Sequence, residues 1–448
     1  MATGGIIDSL EERGCRNSCC RFTMKDESLS PPIPKSYKWE LLILLWFAYF
    51  LNQGDRQIFS AVLPLIKADM GFSDVQLGLI ATLFTVCYGL FVPIAGFAGD
   101  IFKRRSIVFG SLLVFSCGTL LTGLASGFVM LVIFRSIATG IGEAFYYPSA
   151  NSLIGQYHHR TRATAMAIHQ TSVYTGIVFG GVLAAWIGST YGWRSSFYVF
   201  GSIGMIWAVV VMWRMRNDRA DATAVESSFT AKNGETVPLR DALRHALSKP
   251  TLYFLSLAFG GMVFVNVGFL TWMPTYLHER FDLSLTRASF DAMFYHHLFA
   301  YFGVLAAASL TDYLAPKRKT VRMEFECLGL LLATPFIFLM GYSDNLWIIY
   351  FALCGFGLFR GVYDSNLFVA LFDVIEPRYR STATGLMLAF AFTIGAISPV
   401  ALGWVKQHFG LEQGIMALSV VYFLSAVSIF IGLKTTFLKD YHVETPQT

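Results

Sequence analysis

The stretch ELLILLWFAYFLNQGDRQIFSAVLPLI (residues 40–66) joins two apolar runs through a polar centre. A helix that crosses a bilayer needs roughly 20 mostly apolar residues, and this stretch is long enough. Asp55 and Arg56 stand side by side at its centre. Because a charge at the bilayer centre costs at least about 2.5–3.5 kcal/mol, we expect both side chains to face the protein interior or a water-filled cavity. The stretch therefore predicts a membrane helix that carries a functional site.

The composition extends this reading to the whole chain of 448 residues. Hydrophobic residues make up 55% and charged residues 14%, whereas soluble domains carry about 25% charged residues. Three of the seven cysteines lie in a polar tail without histidines, and four lie in apolar runs, as packed small hydrophobes do. We expect an all-α membrane protein with no metal site and no cofactor.

Twelve apolar stretches predict twelve transmembrane helices in two bundles of six, with one long polar interval between the bundles. The predicted spans are 41–66, 75–98, 106–126, 128–154, 164–188, 196–214, 251–277, 290–311, 322–341, 346–372, 382–405 and 414–436. The predicted organisation is a disordered cytoplasmic tail 1–38, a bundle 39–214, a cytoplasmic linker 215–249, a bundle 250–437 and a cytoplasmic tail 438–448.

Basic residues and an internal repeat give the topology. Lys and Arg collect in alternate loops, such as 103–105 and 317–319, and the positive-inside rule then places both termini and the linker in the cytoplasm. FYYPSAN (145–151) returns as VYDSNLF (362–368), with an offset of about 217 residues. A repeat of six helices with a cytoplasmic linker is the layout of a transporter whose site lies between its halves near mid-membrane.

Two motifs resemble signatures of the major facilitator superfamily, and the likeness covers residues 40–437. They are GFAGDIFKRR (96–105), where Ile101 replaces a usually basic residue, and Arg135-x4-Gly140-x-Gly142-Glu143-Ala144. NQGDRQIFSAVLPLI (52–66) and GIGEAFYYP (140–148) are similar to the anion:cation symporters, the branch of hexuronate and galactonate carriers. Spinster-like lipid transporters share the Asp-Arg pair and the Gly-x-Gly-Glu-Ala motif.

The resemblance implies a secondary transporter that works by alternating access. Its substrate would be a small organic anion, such as a hexuronate or aldonate, moved with protons across the plasma (inner) membrane. The cavity would be lined by spans 1, 2, 4, 5, 7, 8, 10 and 11. Two alternatives stay open: a Spinster-like transporter of lysolipid or sphingoid cargo, and a solute sensor that does not transport. We expect a monomer with no nucleic-acid partner, and no enzyme, because the chain has no Walker, HExxH or GxSxG motif in a usable context.

Arg56 is the predicted anion ligand, because a guanidinium stays charged in a low-dielectric cavity and grips a carboxylate with two hydrogen bonds. Neighbours on a helix point about 100° apart, so we expect Asp55 not to neutralise Arg56 and Arg56 to be free. By resemblance, Asp55, Glu143 and Arg135 form the proton-coupling machinery. Glu143 lies between Gly142 and Ala144, which predicts a tight, dry site suited to proton exchange.

Arg360 and Asp364 are spaced to pair on one helical face. They form either a fixed structural pair or, through Arg360, a second anion contact opposite Arg56. This position departs from what either branch would lead us to expect. The other predicted substrate contacts are Asn52, Tyr88, Gln170, Trp272, Tyr276 and Asn366. His169, His296 and His297 are candidates for titration near neutral pH.

A cytoplasmic latch is implied by the motif at 96–105. By resemblance, Gly96, Asp100, Arg104 and Arg105 hold the two bundles in one conformational state and release them in the other. Topology alone would explain the basic residues but not Asp100.

Overall fold

The computed structural model describes residues 36–158, 161–215 and 239–441, and these fold into helices without a strand. The helices are α1 (Tyr37–Met70), α2 (Asp74–Ile101), α3 (Arg104–Thr122), α4 (Phe128–Tyr157), α5 (Arg162–Tyr191), α6 (Trp193–Arg214), α7 (Leu239–Leu247), α8 (Pro250–Phe281), α9 (Leu285–Leu314), α10 (Val321–Tyr342), α11 (Leu346–Asp364 and Leu367–Val374), α12 (Arg380–Gly395 and Ser398–Phe409), α13 (Leu411–Thr435) and α14 (Phe437–Asp440). Predicted spans 1–6 correspond to α1–α6, and spans 7–12 to α8–α13.

Eleven helices of the described residues, α2–α6 and α8–α13, are long and apolar enough to cross a membrane. The first helix, α1, has 34 residues, which is about 50 Å at 1.5 Å per residue. Its length suffices, but the polar stretch Asn52–Gln57 interrupts its apolar run. The twelfth span, the cytoplasmic placement of the termini and the division into two bundles therefore stay predictions.

The predicted linker and tails lie partly outside the described residues, which begin at residue 36, omit 216–238 and end at residue 441. The described end of the linker forms α7, and its Ala242 and Ala246 are buried. The ring of His245 stacks on Tyr379 at a centroid distance of 4.4 Å. This end of the linker is thus packed against the turn that precedes α12.

The internal repeat is visible in the backbone of two equivalent turns. Gly192 joins α5 to α6 with φ 89° and ψ 149°, and Gly410 joins α12 to α13 with φ 95° and ψ 157°. Such positive φ angles favour glycine because a Cβ atom would be strained there. The two glycines are offset by about 217 residues, the spacing of the repeat.

Two close helix crossings hold the polar centre of α1 and the polar part of α9 in place. A Cβ atom at Gly180 of α5 would overlap the Cα of Gly54, so the two backbones touch. In the other half, a Cβ atom at Gly357 of α11 would overlap the carbonyl oxygen of His296 in α9. Small residues at such crossings let membrane helices approach closely. Asp55 and His296 are therefore held beside fixed backbone contacts.

The helix α4 is interrupted by a π-helical segment, Val132–Ala138, which carries Arg135. Thr139 Oγ1 donates to the carbonyl oxygen of Phe134 at 2.9 Å and stabilises this wider turn. Segments of this kind occur frequently at functional sites because they redirect the side chains of one turn. The widened turn brings Arg135 to the centre of the molecule.

Candidate functional site

A central cavity of about 410 Å³ is lined by α1, α2, α4, α5, α8, α9, α11 and α12. Its volume is in the usual range for small-molecule sites. Its polar and aromatic lining residues include Gln53, Arg56, Gln57, Ser60, Tyr88, Arg135, Gln170, Tyr174, Asn266, Thr271, His297, Arg360 and Asp364. The predicted contacts Arg56, Tyr88, Gln170 and Arg360 thus share one cavity.

The cavity face of α1 is formed by Gln53, Arg56, Gln57 and Ser60, spaced as neighbours on one helical face. Asn52, predicted as a substrate contact, is not among the residues that line the cavity, and its role stays a prediction. Residues 51–55 are all buried, so α1 is covered on every side at this turn. Asn52 instead accepts a hydrogen bond from Gln53 Nε2 at 3.1 Å.

Arg56 is paired with Glu143, which corrects the expectation that it is free. Arg56 Nε donates to Glu143 Oε2 at 2.5 Å. The side chain of Glu143 is 0% exposed, whereas Arg56 keeps 23% of its side chain exposed on the cavity side. The pair could not be predicted because it joins α1 to α4 across 87 positions of the chain. The carboxylate thus lies behind the guanidinium as seen from the cavity.

Aromatic rings stack with the arginines at the cavity wall. The guanidinium of Arg56 lies 4.1 Å from the ring centroid of Tyr88, and that of Arg135 lies 4.4 Å from the centroid of Phe84. Such cation–π contacts contribute roughly 0.5–2 kcal/mol each and hold a guanidinium in one plane. Arg135 Nη2 also donates to the carbonyl oxygen of Arg56 at 3.2 Å, while its Nε and Nη1 have no hydrogen-bond partner among the described residues.

Asp55 points away from Arg56, as the helical spacing predicts. Its Oδ2 accepts a hydrogen bond from Thr119 Oγ1 in α3 at 2.6 Å. Its Oδ1, like Glu143 Oε1, has no donor in the described part of the chain, and the two carboxyl groups lie close to each other. Two neighbouring buried carboxylates can hold a proton between them.

In the other half, Arg360 is surrounded by mostly neutral acceptors. Arg360 Nη1 donates to Asn266 Oδ1 at 2.6 Å and to His296 Nε2 at 3.0 Å. Asp364 Oδ2 lies 3.4 Å from Arg360 Nε, but Nε has no partner with hydrogen-bond geometry. The predicted pair of Arg360 with Asp364 is therefore present as an ion pair, and both residues face the cavity.

The geometry fixes the tautomer of His296. Arginine has no acceptor atom, so His296 Nε2 must accept and the ring carries its hydrogen on Nδ1. That Nδ1 is buried and has no partner among the described residues. His297 bonds the carbonyl oxygen of Met293 through Nδ1 at 2.8 Å and lines the cavity. His169 is buried beside Tyr146, 3.4 Å from its hydroxyl, away from the cavity lining.

Three further predicted contacts lie away from the cavity, and their side chains bond to neighbouring groups. Trp272 Nε1 donates to the carbonyl oxygen of Pro399 at 3.0 Å, and the Tyr276 hydroxyl donates to that of Met340 at 2.8 Å. Both rings are buried between helices. Asn366 Nδ2 donates to Ser365 Oγ at 2.9 Å and lies in the break of α11. None of the three lines the cavity.

The sequence reasoning missed several polar lining residues, among them Gln53, Gln57, Tyr174 and Asn266. The two glutamines lie within one turn of Arg56 on the same face, so the helical period could have found them. Asn266 is the single amide in the apolar run GGMVFVNVGFL (260–270), which is also a usable signal. Tyr174 gives no comparable signal in a chain with 16% aromatic residues.

The predicted latch lies at one end of α2 and α3. Arg104 is buried and donates to Gln156 Oε1 of α4 at 3.3 Å, and Arg105 Nη2 donates to the carbonyl oxygen of Met212 in α6. Gly96 lies in α2 with open space around its Cα. The side chain of Asp100 lies outside the described residues, so its role stays a prediction. No group of His, Cys, Asp or Glu in the described ranges is arranged to hold a metal ion.

Comparisons with known proteins agree with this architecture. The chain is 26% identical to the hexuronate transporter of Bacillus subtilis, over 85% of this chain and 91% of the relative. It is 24% identical to the D-galactonate transporter of Escherichia coli O6:H1, over 88% and 95% of the two chains, and 24% identical to the cis,cis-muconate transport protein of Acinetobacter baylyi, over 92% and 97%.

The fold is also found among solved structures. A bacterial homolog of the human lysosomal transporter Spinster, in an inward-facing and unoccupied conformation, superposes with a TM-score of 0.79. That match has 23% identity and covers 92% of this chain and 100% of the other. The family model described as Major Facilitator Superfamily matches residues 45–399. This match covers most of the chain, and the relatives named are transporters rather than enzymes. The chain is a multi-pass membrane protein that belongs to the Major Facilitator Superfamily.

Proposed function

We propose that this protein is a proton-coupled symporter of small organic anions that works by alternating access. The observation that carries the proposal is the ion pair between Arg56 and Glu143, in which the arginine faces the cavity and the carboxylate lies behind it. A transporter of this kind needs an anion ligand whose availability depends on a proton. This pair meets that need with two side chains in direct contact.

The coupling follows from charge balance in a poorly solvated site. While Glu143 is ionised, it satisfies Arg56, and an incoming carboxylate would add an uncompensated negative charge. When Glu143 binds a proton, Arg56 loses its counter-ion, and a buried unpaired charge costs about 3–5 kcal/mol. A substrate carboxylate then replaces Glu143 on the guanidinium. The empty deprotonated state and the loaded protonated state are both neutral, so proton and anion move together.

Asp55 supplies a second group for proton exchange. It is buried, has an oxygen without a hydrogen-bond partner, and lies beside Arg56 in the chain. Thr119 holds its other oxygen. A proton on Asp55 would change the charge balance around Arg135 and Arg56 without blocking the cavity.

A sugar acid fits the polar part of this cavity. Arg56 would bind the carboxylate, and the amides of Gln53, Gln57 and Gln170 would bind hydroxyl groups from the same half. Arg360 provides the second positive pole on the opposite wall. The names of the relatives, which include hexuronate and D-galactonate transporters, support the same substrate class.

One feature favours a second candidate, a lysolipid or sphingoid transporter. The wall formed by α8 is largely apolar, with Phe259, Met262, Val263, Val267 and Leu270 beside the polar Asn266 and Thr271. An acyl chain could lie along this wall with its headgroup at Arg56. The two arginines on opposite walls favour the smaller polar anion.

The cellular setting belongs to the same proposal. We propose that the protein is a monomer in the plasma (inner) membrane. We propose cytoplasmic termini because its basic loops alternate as the positive-inside rule requires. The segment 96–105 would act as the cytoplasmic latch between conformational states.

Uptake by purified protein in liposomes tests the proposal. We expect an imposed inward proton gradient to drive accumulation of labelled glucuronate or galactonate, and lysophosphatidylcholine not to be moved. Glu143→Gln should abolish gradient-driven accumulation and leave exchange of internal for external anion intact, because its side chain cannot bind the coupling proton. Transport of the lysolipid alone would favour the second candidate. Binding without any uptake would identify a sensor and contradict symport.

A further inference from the structure

Glu326 is a buried acid that the central cavity does not use. It lies in α10, which packs mainly against α11 and α13. The residue is 0% exposed, and neither carboxylate oxygen has a hydrogen-bond partner among the described residues. Glu326 also takes part in no salt bridge among the described residues. It is also absent from the residues that line the cavity.

Tyr363, which interacts with Glu326, and Tyr422, which interacts with Tyr363, are also unpaired within the described ranges. Tyr363 of α11 and Tyr422 of α13 are 0% exposed, and neither hydroxyl has a partner in the described part of the chain. Gly329, one turn after Glu326, lets α10 approach Tyr363 so closely that a Cβ atom there would lie 2.9 Å from the backbone nitrogen of Tyr363. Cys327, the next residue, donates through Sγ to the carbonyl oxygen of Ala426 in α13 at 3.5 Å.

One ion pair lies a turn away from this acid. Arg322 Nη1 contacts Asp373 Oδ1 at 2.6 Å, and the arginine side chain is 24% exposed. Arg322 precedes Glu326 by four residues, so the two side chains are neighbours on the same face of α10. The titratable groups that interact with Glu326 are Asp373, Cys327 and Tyr363, and Arg322 lies one helical turn before it on α10.

The burial of Glu326 determines its state. An ionised carboxylate without a counter-ion or hydrogen bond is strongly destabilised in the interior of a membrane protein. In the arrangement seen here, Glu326 is therefore a neutral carboxylic acid that holds a proton. It can lose this proton only if a cation replaces it, and Arg322 is the one basic group within a turn of it on α10.

We propose that Glu326 is a proton-binding site outside the central cavity, and that Arg322 exchanges Asp373 for Glu326 when the proton leaves. In this step the O–H bond of Glu326 breaks, the proton passes to water at the near end of α10, and Arg322 neutralises the new carboxylate. Asp373 is then released at the end of α11. The same helix carries Asp364 in the cavity wall, beside Tyr363, so protonation at Glu326 is communicated to the substrate site.

This inference does not depend on the identity of the substrate, and its test needs no transport. Infrared difference spectra of the full-length purified protein, recorded between acidic and alkaline pH, report each carboxyl group that loses a proton through its C=O stretch. We expect one such band to be present in the wild type and missing in Glu326→Gln. Glu324→Gln is the matched control, because Glu324 lies two residues away at the surface and pairs with Arg318 at 2.8 Å.

A separate variant, Arg322→Gln, tests the role of Arg322. In Arg322→Gln the carboxylate lacks its replacement cation, so the band of Glu326 should persist to a pH higher by about one unit or more, a tenfold change in proton affinity. Difference spectra of Glu326→Gln identical to the wild type would overturn the proton site. If Glu326→Gln does not fold, an unshifted band in Arg322→Gln would overturn the exchange.

Discussion

The two halves of the protein each place an arginine at the cavity wall, but they give it different hydrogen-bond acceptors. In the first half, Arg56 of α1 is bonded to Glu143 of α4 at 2.5 Å. In the second half, Arg360 of α11 is bonded to Asn266 of α8 at 2.6 Å. Glu143 and Arg360 are separated by about 217 residues, the offset of the repeat, so they occupy equivalent positions. In the first half α1 supplies the arginine and α4 the acceptor, whereas in the second half α11 supplies the arginine and α8, the equivalent of α1, supplies the acceptor.

This difference separates two tasks that one site must perform. A carboxylate acceptor can bind a proton and release its arginine, so the charge offered by Arg56 depends on Glu143. Asn266 cannot titrate, and His296 is held neutral as an acceptor. The arginine itself keeps its positive charge, and its carboxylate neighbour among the described residues is Asp364 at 3.4 Å. We propose that the first half controls binding through protonation and that the second half mainly attracts the anion.

Removal of Arg56 should have the largest effect on binding. Arg56→Ala loses two charged hydrogen bonds to the substrate carboxylate, which contribute about 1.5–3 kcal/mol each, so we expect affinity to fall by about 100-fold or more. Arg56→Lys should recover part of this affinity because lysine keeps the positive charge. It should not recover all of it, because lysine cannot form the two parallel hydrogen bonds of a guanidinium. Isothermal titration calorimetry with galactonate or glucuronate measures both.

The control for this series is Arg214→Ala. Arg214 pairs with Glu40 at the protein surface, away from the cavity. Its loss should leave affinity unchanged, since surface ion pairs contribute about 0–1 kcal/mol. Unchanged affinity in Arg56→Ala would remove Arg56 from the substrate site.

Removal of Arg360, in the second half, should weaken anion binding less than removal of Arg56. Arg360→Gln removes one charged contact, and we expect about tenfold weaker binding, or about 1.4 kcal/mol. Because the charge of Arg360 is constant, the slope of affinity against pH should equal that of the wild type. Binding measured across a pH series provides the check. A changed slope would mean that Arg360 and its neighbours also bind the coupling proton, which would end the division of tasks.

The fold could be predicted from the sequence in most of its parts. Long apolar runs and their spacing gave the helices, because each span must satisfy its own backbone in lipid. The break within α4 and the close crossing at Gly54 and Gly180 could not be read from hydropathy. They depend on which helices touch, and this information lies in contacts between distant residues.

The charges of the site could be predicted, and so could the pair of Arg360 and Asp364 within one helix, but the pairings between helices could not. Arg56, Asp55 and Glu143 were identified because a charged side chain within a membrane helix is energetically costly and therefore indicates a function. The bond between Arg56 and Glu143 was missed because it joins two helices. The sequence did not reveal that Trp272 and Tyr276 pack between helices, because such a ring has the same local pattern as one that contacts a ligand.

The central claim is that protonation of Glu143 releases Arg56 for the anion, and the most direct test counts protons on binding. Calorimetric titrations of the anion, repeated in buffers of different ionisation enthalpy, give the number of protons taken up per anion bound. We predict about one proton for the wild type and close to none for Glu143→Gln, which has no carboxylate to protonate. The same proton uptake in Glu143→Gln as in the wild type would contradict the account.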